Sequence, residues 1–408
     1  MTDVGEVMTR VHREEWARVV AHLARRLGDL DIAEEMAAEA FAIAVERWPV
    51  DGVPAQPEAW LLQVARHRTL DAWRHSQVRD EAAQTLLLLA DEVGDDPAFG
   101  CAVPDERLRL FFVCAHPAID AAARAPLMLQ TVLGLDAVRM AGAFLSAPAT
   151  LGQRLVRAKA RIRAAGIPFE FPRAPDLPQR LQDVLDGIYA AYGTGWDEVD
   201  GADAAQRGLT AEAIELGRIL CGLMPAEAEP LGLLALMLFC ESRAAARRGA
   251  GGGYVPLDAQ DIARWNLPLR DQAEEALHQA AALGAFGPYQ IEAAIQSAHC
   301  ARRLGAQVPA DALVALYDGL LALRPNTGAR VSRACAVAEA RGPAAGLHEL
   351  DAMAAAEVAS YQPFWAARAH LLGRSGQAAE ARLAYARAGG LSASPAVRAW
   401  LAAASERL

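Results

Sequence analysis

Long apolar runs are absent from this 408-residue sequence, which argues against a membrane protein. No run reaches the roughly 18 residues that a membrane span requires, and the first residues lack the apolar centre of a signal peptide. The longest apolar segment, Leu231 to Cys240, is about half that length and predicts a buried core helix. We therefore expect a cytoplasmic protein that makes no contact with a membrane.

Paired cysteine motifs are also absent, which argues against a redox site or a zinc site. No C-x-x-C occurs, and neither Cys114 with His116 nor His299 with Cys300 has a second pair at ligand spacing. We expect free thiols, mostly buried, in a reducing compartment, and neither a metal nor a cofactor. The six cysteines are Cys101, Cys114, Cys221, Cys240, Cys300 and Cys335.

Strand patterns and enzyme signatures are missing too. The sequence is rich in alanine and arginine and contains no convincing alternation of apolar and polar residues, so it predicts an all-α fold. It has no P-loop, no dinucleotide fingerprint and no Ser/His/Asp ordering, which makes an enzyme the least favoured class. Its length suits two to four domains.

A block of positive charge, residues 138–163, stands out in a chain whose net charge is -10. The block contains no Asp or Glu, and a local positive patch in an acidic protein indicates a site for a polyanion. An arginine-rich surface helix in an all-α protein is the alternative. The basic residues are Arg139, Arg154, Arg157, Lys159, Arg161 and Arg163.

The same block has the pattern of a helix-turn-helix. Met140, Phe144 and Leu145 form one short apolar face, the segment 146–148 breaks it, and Thr150 is expected to cap a second helix. That second helix is predicted to turn Leu151, Leu155 and Ile162 inward. Its outward residues, Gln153, Arg154 and Arg157, are of the types that reach base edges and phosphates.

The first part of the chain predicts three helices, near 12–28, 30–47 and 57–79, with an irregular loop from Pro49 to Gln56. The second helix region, 29–46, has six acidic residues and no basic one, whereas the third has four arginines against two acids. One acidic helix and one basic helix suit two different partners.

Composition changes divide the chain further. Residues 82–104 become acidic and then rich in Pro and Gly, typical of a linker. Four prolines between 168 and 178 mark another boundary. We predict five segments: 1–81, an acidic linker 82–104, 105–170, a helical extension 171–286 and helical repeats 287–408.

The last hundred residues show a 34-residue period typical of tetratricopeptide (TPR) units. Stepping back 34 residues takes the turn glycine Gly376 to Gly342, and two such steps take Tyr385 to Tyr317. Stacked units of this kind leave a concave surface for a peptide or another domain. The residues at repeat positions are Trp365, Ala369, Leu372, Ala381, Tyr385 and Ala388.

Together these segments resemble an extracytoplasmic-function (ECF) sigma factor, a promoter-recognising subunit of bacterial RNA polymerase. DIAEEMAAEAFAIAVERW (31–48) and PEAWLLQVARHRTLDAWRHSQVRDE (57–81) are similar to its region 2. RLRLFFVCAHPAI (107–119), which leads into the helix-turn-helix, is similar to its region 4. Segments 232–247, 257–265, 287–300 and 337–347 resemble the subgroup with a long TPR-like C-terminal extension.

The resemblance implies a role for each basic or acidic helix. The acidic helix would dock on the core polymerase, with Glu34, Glu35 and Glu39 outward and Phe41 on its apolar side. The loop 49–56 and the helix after it would hold the -10 promoter element, and the basic helix after Thr150 would read the -35 element. The linker would thread toward the RNA channel, although a soluble tether fits the sequence equally well.

The residues implied at these sites form three sets. Those for the polymerase are Asp31, Glu34, Glu35, Glu39 and Phe41. Those for the -10 element are Arg66, His67, Arg68, Trp73, Arg74 and Arg79. Those for the -35 element are Thr150, Gln153, Arg154, Arg157, Lys159 and Arg161. For Trp60 and Trp73, core packing is the favoured alternative role.

The resemblance also implies three kinds of partner. They are core RNA polymerase, promoter DNA, and a possible regulatory protein or peptide at the C-terminal repeats. Two other classes share some of these features. A conventional helix-turn-helix regulator with a TPR sensor lacks the region-2 pattern. A scaffold protein would account for the repeats but not for two basic helices.

Overall fold

The computed structural model describes residues 4–75, 105–144, 146–169, 171–196, 208–249 and 251–408. They form two compact units, one before residue 224 and one from residue 224 onward. The prediction of an all-α fold is confirmed, because the described part of the chain contains helices and one isolated bridge between Arg248 and Tyr254, but no strand.

The α-helices of the first unit are α1 (Val4–Leu27), α2 (Leu30–Asp51), α3 (Pro57–His75), α4 (Glu106–Cys114), α5 (Ala121–Leu133), α6 (Ala137–Met140), α7 (Pro148–Ala165), α8 (Leu177–Trp196) and α9 (Leu209–Leu223). Those of the second unit are α10 (Ala228–Glu241), α11 (Leu267–Ala282), α12 (Pro288–Arg303), α13 (Ala310–Leu323), α14 (Thr327–Arg341), α15 (Pro343–Asp351), α16 (Ala355–Val358), α17 (Gln362–Arg374), α18 (Ala378–Leu391) and α19 (Pro395–Glu406). The described residues also form four 3₁₀ helices: Ala174–Asp176, Ala244–Arg247, Leu257–Ala259 and Ile262–Arg264.

Helix α2 is longer than its sequence predicted. It continues through Pro49 to Asp51, so the expected loop from Pro49 is wrong at its start. The helix ends at Gly52, whose positive φ of 85° lets its N–H bond the carbonyl oxygen of Trp48. Trp48 is buried and packs edge-on against Trp60, with ring centroids 5.3 Å apart. The ring of Trp60 thus packs against the core formed by α1, α2 and α3, in agreement with the core-packing role favoured for it from the sequence.

The helix pair predicted around residue 146 has shifted boundaries. Helix α6 ends at Met140 and a turn follows, so Phe144 lies in the turn rather than on a helix, and Leu145 lies outside the described residues. Helix α7 begins at Pro148, and Ala147 occupies the cap position without a side-chain bond. The prediction that Thr150 caps α7 is wrong, because proline at the first position needs no N–H partner.

Helices α8 and α9 belong to the first unit and extend its core beyond residue 170. Gly187 of α8 lies so close to α4 and α5 that an added Cβ would stand 2.4 Å from Met128 Sδ and 3.0 Å from Phe111 Cε1. Two ion pairs flank this apolar contact: Arg124 with Asp183 at 2.7 Å, and Arg107 with Glu212 at 3.2 Å. A chain cut near residue 170 would therefore lose part of this core.

The second unit consists of consecutive helix pairs. Gly342 joins α14 to α15 and Gly376 joins α17 to α18, each with a positive φ (94° and 77°) that non-glycine residues adopt at a cost. Of the six predicted repeat positions, five are buried in one cluster and Trp365 packs against it half-buried. The spacing of these turns agrees with helix pairs, while a tetratricopeptide identity remains a prediction.

Candidate functional site

Most of the acidic side chains of helix α2 lie in its first half. Asp29 caps the helix, and its Oδ1 accepts hydrogen bonds at 2.9 and 3.3 Å from two backbone N–H groups of the first turn. Carboxylates at this end of a helix are favoured by the free N–H groups and the helix dipole. Glu35 and Glu39 are exposed, as predicted, whereas Glu34 is half-buried, contrary to the outward placement expected for it.

Phe41 lies on the buried face of α2, as predicted from the apolar pattern. It is 5% exposed, and its ring packs against His12 (4.8 Å between centroids) and Trp16 (5.8 Å). Burial among these rings lowers the pKa of His12. In this conformation Phe41 contacts the interior of the unit, so its side chain is not available to a partner protein.

Helix α7 has one buried apolar side and one polar side. Leu151, Leu155 and Ile162 are buried, which confirms the predicted inward face. Gln153 and Arg157 are exposed, and Arg157 Nε donates to the carbonyl oxygen of Gln153 at 3.2 Å. These two side chains form the open centre of the polar side.

The other predicted -35 residues lie around that centre. Arg154 is half-buried, and its Nη1 donates to Ser146 Oγ at 3.3 Å. Arg161 is exposed, and its Nε donates to the carbonyl oxygen of Ala118 at 3.3 Å. Thr150 is exposed in the first turn. Of the glutamine and the three arginines predicted here, Gln153, Arg157 and Arg161 are thus exposed to solvent.

Lys159 does not have the exposed position that contact with the -35 element would require. It is 8% exposed, and its Nζ donates to Glu34 Oε2 at 2.7 Å and lies 3.2 Å from Asp31 Oδ1. Burial lowers the pKa of Lys159, but the charge and hydrogen bonds of the two carboxylates outweigh burial and raise it. Lys159 is therefore a cation bound by α2, which leaves it no access to a phosphate in this conformation.

A second basic residue of α7 reaches the same end of α2. Arg163 Nε lies 2.5 Å from Asp29 Oδ2, and its Nη2 donates to Asp31 Oδ2 at 3.2 Å. Burial raises the pKa of Asp29, but the hydrogen bond from Arg163 and those from the helix N–H groups lower it below its ordinary value. Asp29, Asp31 and Glu34 with Lys159 and Arg163 are called the charged contact below.

The charged contact is anchored by a buried threonine of α5. Thr131 is fully buried, and its Oγ1 donates to Glu34 Oε1 at 2.9 Å. The backbone oxygen of the same residue accepts a hydrogen bond from Trp16 Nε1 at 2.9 Å. Glu34 thus has one oxygen on α5 and one on α7, so a single carboxylate joins three helices.

The predicted -10 residues are only partly described. Arg66 and His67 are exposed on α3. Arg68, Trp73 and Arg74 lie on the same helix, and their side chains are not described. Arg79 lies outside the described residues. The two side chains that the structure describes are thus exposed to solvent on the surface of α3.

The sequence did not identify Asp29 and Arg163 as members of the charged contact, nor Thr131 as its anchor. It also did not identify Val156 as an exposed residue of α7. Asp29 and Arg163 carry opposite charges, but they lie 134 positions apart, and no local pattern indicates that they form an ion pair. Thr131 sits in an apolar run without a distinguishing signal. Val156 is 63% exposed on α7, three positions after Gln153, and its place on the polar side could have been found from the helical period.

Other kinds of site find no support in the described ranges. No group of three or more His, Cys, Asp or Glu that could hold a metal occurs there. No described helix is both long and apolar enough to cross a bilayer. Five cysteines are free, and Cys101 lies outside the described part. Burial raises the pKa of Cys300 and Cys335 to about 11, so these thiols stay protonated at neutral pH.

Comparison with known proteins agrees with this arrangement at the N-terminal end. The family described as Sigma-70 region 2 matches residues 13–79, which hold α2 and α3. A family of unknown function (DUF6596) matches residues 180–281. No solved structure matches the chain.

A similar protein extends the comparison to the whole chain. An uncharacterized protein of Rhizobium meliloti (strain 1021) is 37% identical over 407 residues, which cover 98% of this chain and 95% of that protein. The two proteins therefore share their architecture from end to end, including the part beyond residue 79. With sigma-70 region 2 at its N-terminal end, the chain belongs to the sigma factor family.

Proposed function

We propose that this protein is an ECF-type sigma factor that directs bacterial core RNA polymerase to promoters with -10 and -35 elements. Sigma-70 region 2 supports a role in transcription initiation, in which it binds the core polymerase and promoter DNA. The observation that carries the finer proposal is the pairing of that region with a second basic helix, α7, behind a turn. Catalysis has no part in this role.

The polymerase would bind the acidic side of α2. Glu35 and Glu39 are exposed there, and an acidic face meets a basic partner with favourable orientation and a fast on-rate. Asp31 and Glu34 would join this surface once released from Lys159. Phe41 would support it from the buried face rather than by contact.

The -10 element would bind along α3. Arg66 and His67 are exposed at its middle, and Arg68, Trp73, Arg74 and Arg79 would continue the same site. Opening the duplex costs a few kcal/mol per unpaired base, so an extruded base has to be captured. An aromatic side chain such as Trp73 offers a stacking surface for that purpose.

The -35 element would bind α7 as the second helix of a helix-turn-helix. Gln153 and Arg157 at the open centre would read base edges, and Arg154 and Arg161 would bind phosphates or bases beside them. Val156, exposed on the same side, suits a thymine methyl group. Arg157→Ala should weaken promoter binding and relax its sequence preference, whereas Arg161→Ala should weaken all duplexes alike.

The C-terminal extension would regulate this module in cis or bind a protein or peptide on its helical repeats. None of the described helices of the second unit has a net charge as large as that of α2 or α7. The proposal is supported by the size of the extension and by the regular helix pairs joined at Gly342 and Gly376. A TPR-like partner site would lie on the concave side of such pairs.

Run-off transcription from a genomic fragment library, with core polymerase and the full-length chain, tests the proposal. Promoter-specific transcripts are expected, and Arg157→Ala should reduce them far more than a change at exposed Glu275 of α11. A chain ending at Leu223, which keeps α8 and α9, gives the sign of the extension's effect. Binding to duplex DNA without polymerase, and no transcripts, would instead identify a conventional helix-turn-helix regulator with a sensor domain.

A further inference from the structure

We propose that residues 254–260 occupy the inner surface of the helical repeats as an internal ligand, and that a partner protein binds there by replacing them with a short segment of similar chemistry. The inference deepens the proposed function, because it rests on a partner site on the repeats and specifies what the partner offers to that site. The inner surface is defined by one residue from each of four helices: His299, Glu339, His370 and Trp400.

The segment between α10 and α11 forms a closed loop. The ends of the loop meet where the Asn266 N–H donates to the carbonyl oxygen of Ser242 at 2.8 Å. Further along the loop, the Val255 N–H donates to the carbonyl oxygen of Arg247 at 2.8 Å. A loop whose ends are joined at its base can change its course without moving the helices on either side.

This loop reaches the last helix of the second unit. The ring of Tyr254 packs edge-on against the ring of Trp400 on α19, with centroids 5.7 Å apart. In stacked helical repeats each unit contacts only its neighbours, whereas these two residues lie 146 positions apart. The contact is therefore not part of repeat stacking, and it requires the loop to cross the helices between α11 and α19.

Side chains of α12, α14 and α17 face the loop in one common space. Burial lowers the pKa of His299 on α12 and of His370 on α17, and the carboxylate of Glu339 on α14 opposes this change in both. Asp258 of the loop acts on the pKa of His370 in the same direction as Glu339. His370 is exposed to solvent although the surrounding protein lowers its pKa, as expected of a side chain that lines a groove. The loop therefore lies in the groove that these helices form.

At its other end the loop binds α12 through a contact that is incompletely hydrogen-bonded. Arg303 Nη2 donates to the carbonyl oxygen of Gln260 at 2.7 Å. Gln260 is 4% exposed, yet neither its Oε1 nor Arg303 Nε has a hydrogen-bond partner among the described residues. Buried polar atoms without a partner cost free energy. A segment held in this way is easier to displace than a fully paired one.

The contacts of the loop indicate what the inner surface accepts. The loop places an aromatic ring against Trp400, a carboxylate near His370 and a backbone oxygen on Arg303. Aromatic packing and hydrogen bonds from a guanidinium are contacts that a second chain can reproduce. We therefore expect the partner segment to carry an aromatic side chain and, a few positions later, an acidic one.

Binding of a synthetic peptide to the full-length protein tests this proposal. The probe is GGGYVPLDAQD, residues 251–261 with a fluorophore at the N-terminus, and fluorescence anisotropy reports its binding. Tyr254→Ala weakens the internal ligand, and we expect this variant to bind the probe roughly tenfold more tightly than the wild type, because an occupied site lowers the apparent affinity. Phe286→Ala, a change at an aromatic residue that is 73% exposed before α12, is the matched control and should bind the probe as weakly as the wild type.

A change in the probe separates recognition from folding, because it cannot unfold the protein. A probe that carries Tyr254→Ala together with Asp258→Asn should bind the Tyr254→Ala protein roughly tenfold more weakly than the native probe does, as expected when recognition contacts are lost. Equal affinity of the wild type and the Tyr254→Ala protein for the native probe, including no binding by either, would overturn the proposal. Equal affinity of the Tyr254→Ala protein for the two probes would overturn it as well.

Hydrogen exchange followed by mass spectrometry locates the bound probe. In the Tyr254→Ala protein, the native probe should slow the exchange of backbone amides in α12 and α19 and leave that of α7 unchanged. Protection confined to the first unit would overturn the proposal. None of these readouts involves polymerase or DNA. Probe binding at α12 and α19 by a chain that yields no transcripts would refute the proposed function and support the peptide site.

Discussion

The helices from residue 105 to 167 pack against α1, α2 and α8. The contacts with α8 and with α2 differ in chemistry, and the difference separates a permanent contact from a reversible one. On one side α8 packs through apolar side chains, with Gly187 against Met128 and Phe111. On another side α2 packs through carboxylates against Lys159 and Arg163. Apolar packing at close range changes little with salt or charge, whereas ion pairs can be exchanged for those of another partner. The contact with α8 therefore stabilises the fold at any salt concentration, whereas the contact with α2 weakens as the salt concentration rises.

The largest effect is expected where the permanent contact is tightest. Gly187→Leu places a side chain where even a Cβ would stand 2.4 Å from Met128 Sδ, and overpacking of this kind should lower the free energy of unfolding by about 3 kcal/mol. Urea denaturation followed by circular dichroism measures the change.

Gly193 of the same helix supplies the matched control. An added Cβ there meets nothing within 4 Å, so Gly193→Ala should stabilise α8 by roughly 0.5 to 1 kcal/mol through higher helix propensity. Equal losses in the two variants would mean that α8 does not pack against α4 and α5 as described.

A smaller effect is expected from removing the charge at the reversible contact. Lys159→Met leaves the half-buried Glu34 without its cation and should lower the free energy of unfolding of the first unit by about 2 kcal/mol. Arg157→Met, a change of similar size at an exposed site of the same helix, should stay within about 0.5 kcal/mol. The comparison fails if the two variants unfold at the same urea concentration.

Salt should distinguish the two contacts without any mutation. Raising NaCl from 0.1 to 1 M shortens the Debye length from about 10 to about 3 Å and weakens the pairs made by Arg163, which is 55% exposed at its side chain. Fluorophores attached through noncanonical amino acids at the exposed Ala38 of α2 and Ala160 of α7 report the distance between these helices. This distance should therefore increase with salt. A second pair of fluorophores, at Ala122 of α5 and Gln182 of α8, should show no change, and movement of both pairs would contradict the comparison.

The sequence predicted each helix of the site but not the contacts between these helices. Periodicity placed Leu151, Leu155 and Ile162 inward, because a helix face is a local property that 3.6 residues per turn determines. The resemblance assigned Lys159 to the -35 element, and periodicity did not contradict that role, because Lys159 borders the buried face of α7 and only the presence of α2 decides its burial. The pairing of Glu34 with Lys159 spans 125 positions, and no local pattern contains that information. The prediction that Thr150 caps α7 failed for a different reason, since Pro148 starts the helix without a hydrogen bond from a capping side chain.

The smallest effect is expected from pH and concerns the packing of α1 and α2 against α5 and α7. His12 packs against Trp16 and Phe41 beneath the turn at Gly134, and burial lowers its pKa below the ordinary 6.5. Well above pH 6.5 His12 is neutral whether it is packed or solvated. As the pH falls, a His12 exposed to solvent by separation of these helices takes up a proton before the packed His12 does, so protonation favours separation. Asp29, with its lowered pKa, keeps its charge in this range.

The fluorophore distance should therefore rise between pH 7 and pH 5.5, and the rise should be smaller in His12→Phe. The distance is a better readout than global unfolding here, because burial also lowers the pKa of His299 and His370 in the second unit. Identical pH profiles in wild type and His12→Phe would place the acid-sensitive group elsewhere. A smaller rise in His12→Phe would instead show that the aromatic cluster of His12, Trp16 and Phe41 separates together with the ion pairs of the charged contact, as one cooperative interface.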